Sequence, residues 1–229
     1  DVFIGETVAI NGFETVNINT GTYSTDDQDI DTLNITGDVD AAGERTDVTL
    51  VVTGSSHLDI DGTVTLGTDG SGEGTIDASA FTGDLELAVV VAGVSTITGG
   101  TGNDTFLADD VASTLTGGAG DDAITGGAKS DTINGGAGND TLTLTALTTG
   151  ADIDTINGGA GNDTFISSDA NLAATHVLDG GAGTDILSIS DLSSVTDAQF
   201  ENKTSIETLT SGGITGLSAT LDVYAQAMG

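Results

Sequence analysis

GGAGDDAIT from Gly117, GGAKSDTIN from Gly126 and GGAGNDTLT from Gly135 stand in tandem. Outlying copies are GGTGNDTFL from Gly99, GGAGNDTFI from Gly158 and GGAGTDILS from Gly180. The shared pattern is G-G-x-G-x-D-x-U-x, where U is a large apolar residue. Repetition at a fixed period is far more specific than one glycine-rich loop. Counting in nines fills the intervals with degenerate units at 90–98, 108–116, 149–157 and 171–179, given insertions at 144–148 and 167–170. The eighth position then reads Ile97, Phe106, Leu115, Ile124, Ile133, Leu142, Ile156, Phe165, Leu178 and Leu187. Every one is apolar in a chain that is 37% hydrophobic. Chance would give that about once in 20,000 trials, so the frame is real.

Each unit divides into a turn and a strand. G-G-x-G-x-D needs backbone conformations open mainly to glycine, and x-U-x is a short strand with U pointing inward. A single unit cannot bury its one apolar side chain, so units must stack. Two units make one coil, and successive coils pair as parallel strands about 4.8 Å apart. The seventh positions, mostly Thr (Thr105, Thr114, Thr132, Thr141, Thr155, Thr164), face outward. The expected fold is all-β: a parallel β-roll or β-solenoid over 90–188, flanked by further β-rich, partly solenoidal segments at 1–89 and 189–229. Because turns alternate sides, the loops starting at 99, 117, 135, 158 and 180 share one edge, and each carries the complete motif. The loops starting at 90, 108, 126, 149 and 171 share the other edge; none is complete, and both insertions run into it. Lys129 stands where the fourth glycine of its loop belongs.

The charge balance limits what such a chain can do. There are 36 acidic residues against 3 basic ones (Arg45, Lys129 and Lys203), a net charge of −33. No basic groove can follow a phosphate backbone, which excludes nucleic acid as a partner. Anionic membrane surfaces repel the chain, and the longest apolar run, Leu87 to Val94, is too short to span a bilayer, so no direct membrane insertion is expected. Without cysteine there are no disulfides or thiolate metal sites. Only His57 and His176 could act as a catalytic base, and neither H-E-x-x-H nor G-x-S-x-G occurs, so the segment reads as non-catalytic. Of the acids 29 are Asp and 7 are Glu. Short carboxylates beside glycines suit loops that hold a hard cation, and Ca²⁺ tolerates loose oxygen cages better than Mg²⁺ does. The alternative, plain Asn/Asp–Gly turns of a Thr-rich β protein, does not demand an Asp at fixed nine-residue spacing.

This repeat resembles the RTX (haemolysin-type) family of calcium-binding nonapeptide repeats over about 90–188. The resemblance implies calcium between loops of adjacent coils, about four sites on the complete edge. One loop would offer the carbonyls of its first and third residues and the next those of its second and fourth, and both would offer the sixth-position Asp. Carried over, the carboxylates are Asp104, Asp122, Asp140, Asp163 and Asp185. The carbonyls are those of Gly99 and Thr101 at the first loop and Gly181 and Gly183 at the last. Between them come Gly117, Gly118, Ala119 and Gly120, then Gly135, Gly136, Ala137 and Gly138, then Gly158, Gly159, Ala160 and Gly161. On the other edge Asp131 and Asp154 stack, which implies one or two weaker ions.

The flanks are less regular. Strand-like runs lie at 8–10, 14–19, 32–36, 48–53, 58–60, 63–66, 75–78 and 85–91, as either a continuous solenoid or a separate β-domain. A short helix is expected at Val195–Phe200. DDQDID at Asp26–Asp31, and Asp59, Asp61, Asp77 and Asp84, are candidate loop cation ligands; His57 and His176 read as surface residues. GFETVNI at Gly12 is echoed by SIETLTS at Ser205, as in an array alternating RTX blocks with connectors, and a chain starting at Asp1 reads as part of a longer protein. In composition and in TIDASAFTGDLEL at Thr75 the chain resembles RTX S-layer proteins of Gram-negative bacteria. That resemblance implies a calcium-dependent structural segment exported by type I secretion. Its partners would be copies of itself in a calcium-bridged lattice, and cell-surface polysaccharide through parts outside this chain. The alternative is the RTX module of a giant adhesin or of a type I-secreted exoenzyme or toxin.

Overall fold

The computed structural model describes residues 7–11, 15–20, 28–29, 32–36, 47–60, 64–66, 74–92, 94–108, 111–145, 152–168, 170–190, 197–211 and 218–220. Its strands form two parallel sheets, which the chain visits alternately from Gly74–Asp77 to Thr208–Ser211. In the front sheet, the central path runs Thr7–Asn11, Thr32–Thr36, Val64–Leu66, Leu85–Ala92, Thr105–Ala108, Ala123–Thr125, Thr141–Thr143, Thr164–Ser167, Ile186–Ile189 and Thr208–Ser211. The back sheet runs Thr15–Asn19, Thr49–Thr53, Gly74–Asp77, Val94–Thr98, Thr114–Ala119, Thr132–Ala137, Thr155–Ala160, Val177–Ala182 and Lys203–Thr204. The chain is therefore a β-solenoid, and both sheets continue from the repeat block into the described parts of its flanks. Among the described residues only Ser218–Thr220 pairs antiparallel, against Thr208–Ser211.

The nine-residue frame is visible in the register. In the back sheet Ile97 pairs with Leu115, Leu115 with Ile133, Ile133 with Ile156 and Ile156 with Leu178. In the front sheet Phe106 pairs with Ile124, then Leu142, Phe165 and Leu187 follow in order. All ten of these side chains are buried between the sheets. None of the six threonines at seventh positions is buried. Pairing equivalent repeat positions coil upon coil satisfies the parallel ladder while keeping one face apolar.

The back-sheet strands are longer than the three residues expected. Thr114–Ala119, Thr132–Ala137, Thr155–Ala160 and Val177–Ala182 extend through the first three loop residues, so Gly118, Gly136, Gly159 and Gly181 pair in register, as do Ala119, Ala137, Ala160 and Ala182. The second and fourth glycines of these loops then turn the chain, with φ between 95° and 151°, a region that side chains with a Cβ rarely occupy.

Each of the eight flank runs holds a strand. Gln28–Asp29, inside the DDQDID stretch, is also a strand, paired to Leu58–Asp59; Asp26, Asp27, Ile30, Asp31 and Asp61 lie outside the described residues. In place of the helix expected at 195–200 there is a single 3₁₀ turn at Asp197–Phe200, with 195 and 196 outside the described residues. Phe165 is 0% exposed. Phe165→Ala should lower unfolding free energy by about 3–5 kcal/mol, measured by urea titration in calcium, whereas Thr141→Ala on the outer face should stay within about 0.5 kcal/mol.

Candidate metal centre

The complete loops cross from the back sheet to the front sheet along one edge, and each turns its sixth-position Asp inward. Asp104, Asp122, Asp140, Asp163 and Asp185 are at most 2% exposed. Burying five carboxylates in a file requires partners for each oxygen. One oxygen is served by the backbone. The N–H of Asp104 donates to Asp122 Oδ1 (2.7 Å), Asp122 N–H to Asp140 Oδ1, Asp140 N–H to Asp163 Oδ1 and Asp163 N–H to Asp185 Oδ1 (2.8 Å each). The other oxygen is not: Oδ2 of Asp122, Asp140, Asp163 and Asp185 is buried without a hydrogen-bond partner. Asp104 differs, because its Oδ2 accepts the Gly100 N–H at 2.8 Å.

Backbone oxygens share the space these orphans face. A Cβ placed on Gly117 would strike both Asp122 Oδ2 and the Gly135 carbonyl; Gly135 and Gly158 repeat the arrangement with Asp140 and the Gly158 carbonyl, then Asp163 and the Gly180 carbonyl. The first glycine thus leaves room for an oxygen-lined interval. The carbonyl polarity is opposite to that implied by the family resemblance. The carbonyls of Gly100 and Gly102 lie against Gly118 and Gly120 of the following loop, so the earlier loop offers its second and fourth carbonyls and the later loop its first. The third carbonyl also points back, since Ala137 O accepts the Gly120 N–H and Ala160 O the Gly138 N–H, both at 2.8 Å. Successive carbonyls of a parallel ladder alternate between neighbours. Gly100 and Gly102 therefore replace Gly99 and Thr101 at the start of the file, and the same phase extended by one coil directs Gly181 and Gly183 away from it.

A second ladder, not anticipated from the sequence, runs outside the first. Asn103 Oδ1 accepts the Asp121 N–H (2.8 Å), Asp121 Oδ1 that of Asn139 (2.6 Å), Asn139 Oδ1 that of Asn162 (2.8 Å) and Asn162 Oδ1 that of Thr184 (2.8 Å). Its signal is the Asn or Asp before four of the five motif Asp residues; before Asp185 stands Thr184, which ends the ladder as a donor. Asp84 begins it by accepting the Asn103 N–H at 2.7 Å, so that Asp is a ladder acceptor. Asp77 instead holds the Ser79 N–H and hydroxyl in a local turn, which lowers its pKa.

The return edge carries a shorter ladder, and there too one oxygen, Asp131 Oδ2, is buried without a hydrogen-bond partner. Asp131 Oδ1 accepts the Ser113 N–H and Asp154 Oδ1 that of Asp131. At the next rung stands His176, which is 1% exposed, not on the surface; its Nδ1 accepts the Asp154 N–H at 2.9 Å. That bond requires the neutral ring, in keeping with burial, which lowers the His176 pKa. Lys129 reaches Asp152 of the next loop at 3.9 Å. Lys203 sits in the inward register of Leu178. Its ammonium donates to the carbonyls of His176 (2.7 Å), Ala173 (2.9 Å) and Glu201 (3.1 Å), and burial lowers its pKa to about 8. Away from both edges, ligand atoms of His57, Asp59 and Glu86 lie within 4.8 Å of one another on a partly exposed patch.

The donor set on the motif edge is all oxygen, buried and anionic, as a hard divalent cation requires. A family profile described as the RTX calcium-binding nonapeptide repeat, in four copies, matches residues 92–115, 116–145 and 146–171. Residues 92–171 are RTX calcium-binding repeats. The geometry carries the RTX frame two units further, to 188. Comparison with curated proteins and with solved structures gave no match. As RTX repeats wound into a β-solenoid, the block is a calcium-binding structural module.

Burial raises the pKa of Asp104 to about 6, of Asp122 to about 7 and of Asp140 to about 6, and raises those of Asp163 and Asp185. The unfolded value is 3.8, so the metal-free fold keeps protons that the unfolded chain releases. Its stability is therefore fullest at low pH and is lost as pH rises through about 6–7. In EGTA, lowering pH from about 7.5 to about 5 should increase the β signal in circular dichroism. With calcium present the trend should reverse, because protons compete for the same oxygens.

Proposed function

We propose that this chain is a non-catalytic, calcium-dependent structural segment of a large secreted surface protein, and that it serves in an S-layer lattice. The observation that carries the reading is the file of buried carboxylates, four of them with an oxygen that no protein group satisfies. When bound, Ca²⁺ supplies a divalent charge that accepts six to eight hard oxygens. The residues that would hold it are Asp104, Asp122, Asp140, Asp163 and Asp185, with loop carbonyls from each interval. A site at 100 times its dissociation constant adds about 2.7 kcal/mol to stability. Four such sites add about 11 kcal/mol, as much as a whole domain commonly has.

Folding is thereby tied to where calcium is abundant, outside the cell, and RTX repeats are typical of secreted proteins. Four divalent ions still leave the chain near about −25. Copies of it packed side by side need further calcium at their contacts, and the outward Thr ladders and carboxylates offer oxygen for it. An RTX module serving an adhesin or exoenzyme would share the fold but not the side-by-side packing.

Circular dichroism should show a mainly unfolded chain in EGTA and β structure in millimolar calcium; a β signal indifferent to the chelator would overturn the proposal. Asp140→Asn keeps an acceptor for the Asp122 N–H but removes the charge, and should raise the calcium midpoint of folding about tenfold. Ordered sheets seen by electron microscopy on adding calcium support the lattice role, and a monodisperse monomer in light scattering counts against it.

A further inference from the structure

The last complete loop, 180–185, is followed on the same edge by a turn that contains no glycine. Register fixes its place. Leu178 and Asp179 pair with Lys203 and Thr204 in the back sheet, and Ile186 and Leu187 pair with Thr208 and Leu209 in the front sheet. Ser205, Ile206 and Glu207 therefore cross the edge in three residues where the coil before uses six. Ser205 stands at the place of the first motif glycine and Glu207 at that of the motif Asp.

Two contacts reproduce the file. Asp185 N–H donates to Glu207 Oε2 at 2.7 Å, as Asp163 N–H does to Asp185 Oδ1 at 2.8 Å. The Ser205 carbonyl lies against Gly180 beside Asp185 Oδ2, as the Gly180 carbonyl lies against Gly158 beside Asp163 Oδ2. Glutamate carries one methylene more than aspartate, and that extra reach makes up for the shorter turn. Ser205 takes φ 53°, a left-handed conformation that a serine adopts at some cost. Asp185 is 0% exposed, and its Oδ2 is buried with no partner in this interval. By the repeat of the ladder, in which Gly159 and Gly161 point their carbonyls at Gly181 and Gly183, the carbonyls of Gly181 and Gly183 face the same side in turn.

We infer that the interval between loop 180–185 and the turn 205–207 is an additional calcium site, formed by Asp185 Oδ2, the Ser205 carbonyl, the Glu207 carboxylate and the carbonyls of Gly181 and Gly183. It rests on the reading of the motif edge as a cation file, and it extends that file one coil past the last RTX loop. The residues after the RTX block are then part of the calcium-dependent fold, held through a site that only they complete.

Glu207→Gln keeps an acceptor for the Asp185 N–H and removes the charge. In equilibrium dialysis with radioactive calcium, this variant should bind one ion fewer per chain than the parent, with the other sites shifted less than about threefold. Equal stoichiometry and affinity in the two proteins would overturn the site. A parent chain that binds no calcium would instead overturn the reading of the whole file. Crystals of the parent grown in calcium give a test independent of the variant's folding. An anomalous peak bounded by Asp185, Ser205 and Glu207 supports the site; peaks between the earlier loops with none here refute it.

Discussion

A buried carboxylate with one oxygen bonded and the other bare is the constraint on which the rest of the structure depends. The motif Asp cannot turn outward, because its Oδ1 holds the N–H of the preceding coil. It cannot be neutralised by a protein cation, since the chain has three in total. The glycines follow from that geometry: the first leaves the space beside Oδ2, and the second and fourth bend the loop so that carbonyls reach the same interval. The core between the sheets is only one layer of side chains from each, one or two inward residues per strand, so cohesion between coils depends heavily on what happens at the edge.

The two edges are two answers to one electrostatic problem. On the motif edge the neutralising charge comes from solution, so the fold is conditional on it. On the return edge the row is shorter and two cations stand near it, Lys129 beside Asp152 and Lys203 on three carbonyls at the end of the stack, while Asp131 Oδ2 is left bare like the motif-edge oxygens. His176 ends that carboxylate ladder with a neutral acceptor, removing one more anion from a buried row. The return edge can therefore accept insertions at 144–148 and 167–170, whereas an insertion on the motif edge would break a file that must stay in register.

Much of this was legible in the sequence because the repeat is written in residue types with narrow physical roles. A nine-residue period fixed which apolar residues face inward, and alternation of turns then separated complete from incomplete loops. Three things were not legible. Carbonyl polarity depends on the phase of the ladder, which Gly and Ala do not encode. The burial of His176 was hidden because its loop, NLAATH, keeps the sixth-position role while discarding every glycine around it. Glu207 was read only as part of an echo of Glu14, since a shortened turn moves it out of the nine-residue count. In both cases register across the sheet, not local motif, assigns the residue.

The ladder also has a direction, and that direction treats the two ends of the stack differently. Each motif Asp receives a proton donor from the coil before it and gives its own N–H to the coil after it. At the front end the requirement is mild: Leu85, fully buried, donates its N–H to Asp104 Oδ1 at 2.8 Å and needs no carboxylate of its own. At the far end, without the turn that follows, the Asp185 N–H would be left unbonded and Leu187 uncovered. A stack cut after 188 would expose both at once, the usual difficulty of a repeat array without a cap. The turn at 205–207, with Leu209 continuing the apolar row over Leu187, supplies acceptor, carbonyl and hydrophobic cover together. An RTX block of this kind is thus complete only when its following segment is counted as part of it.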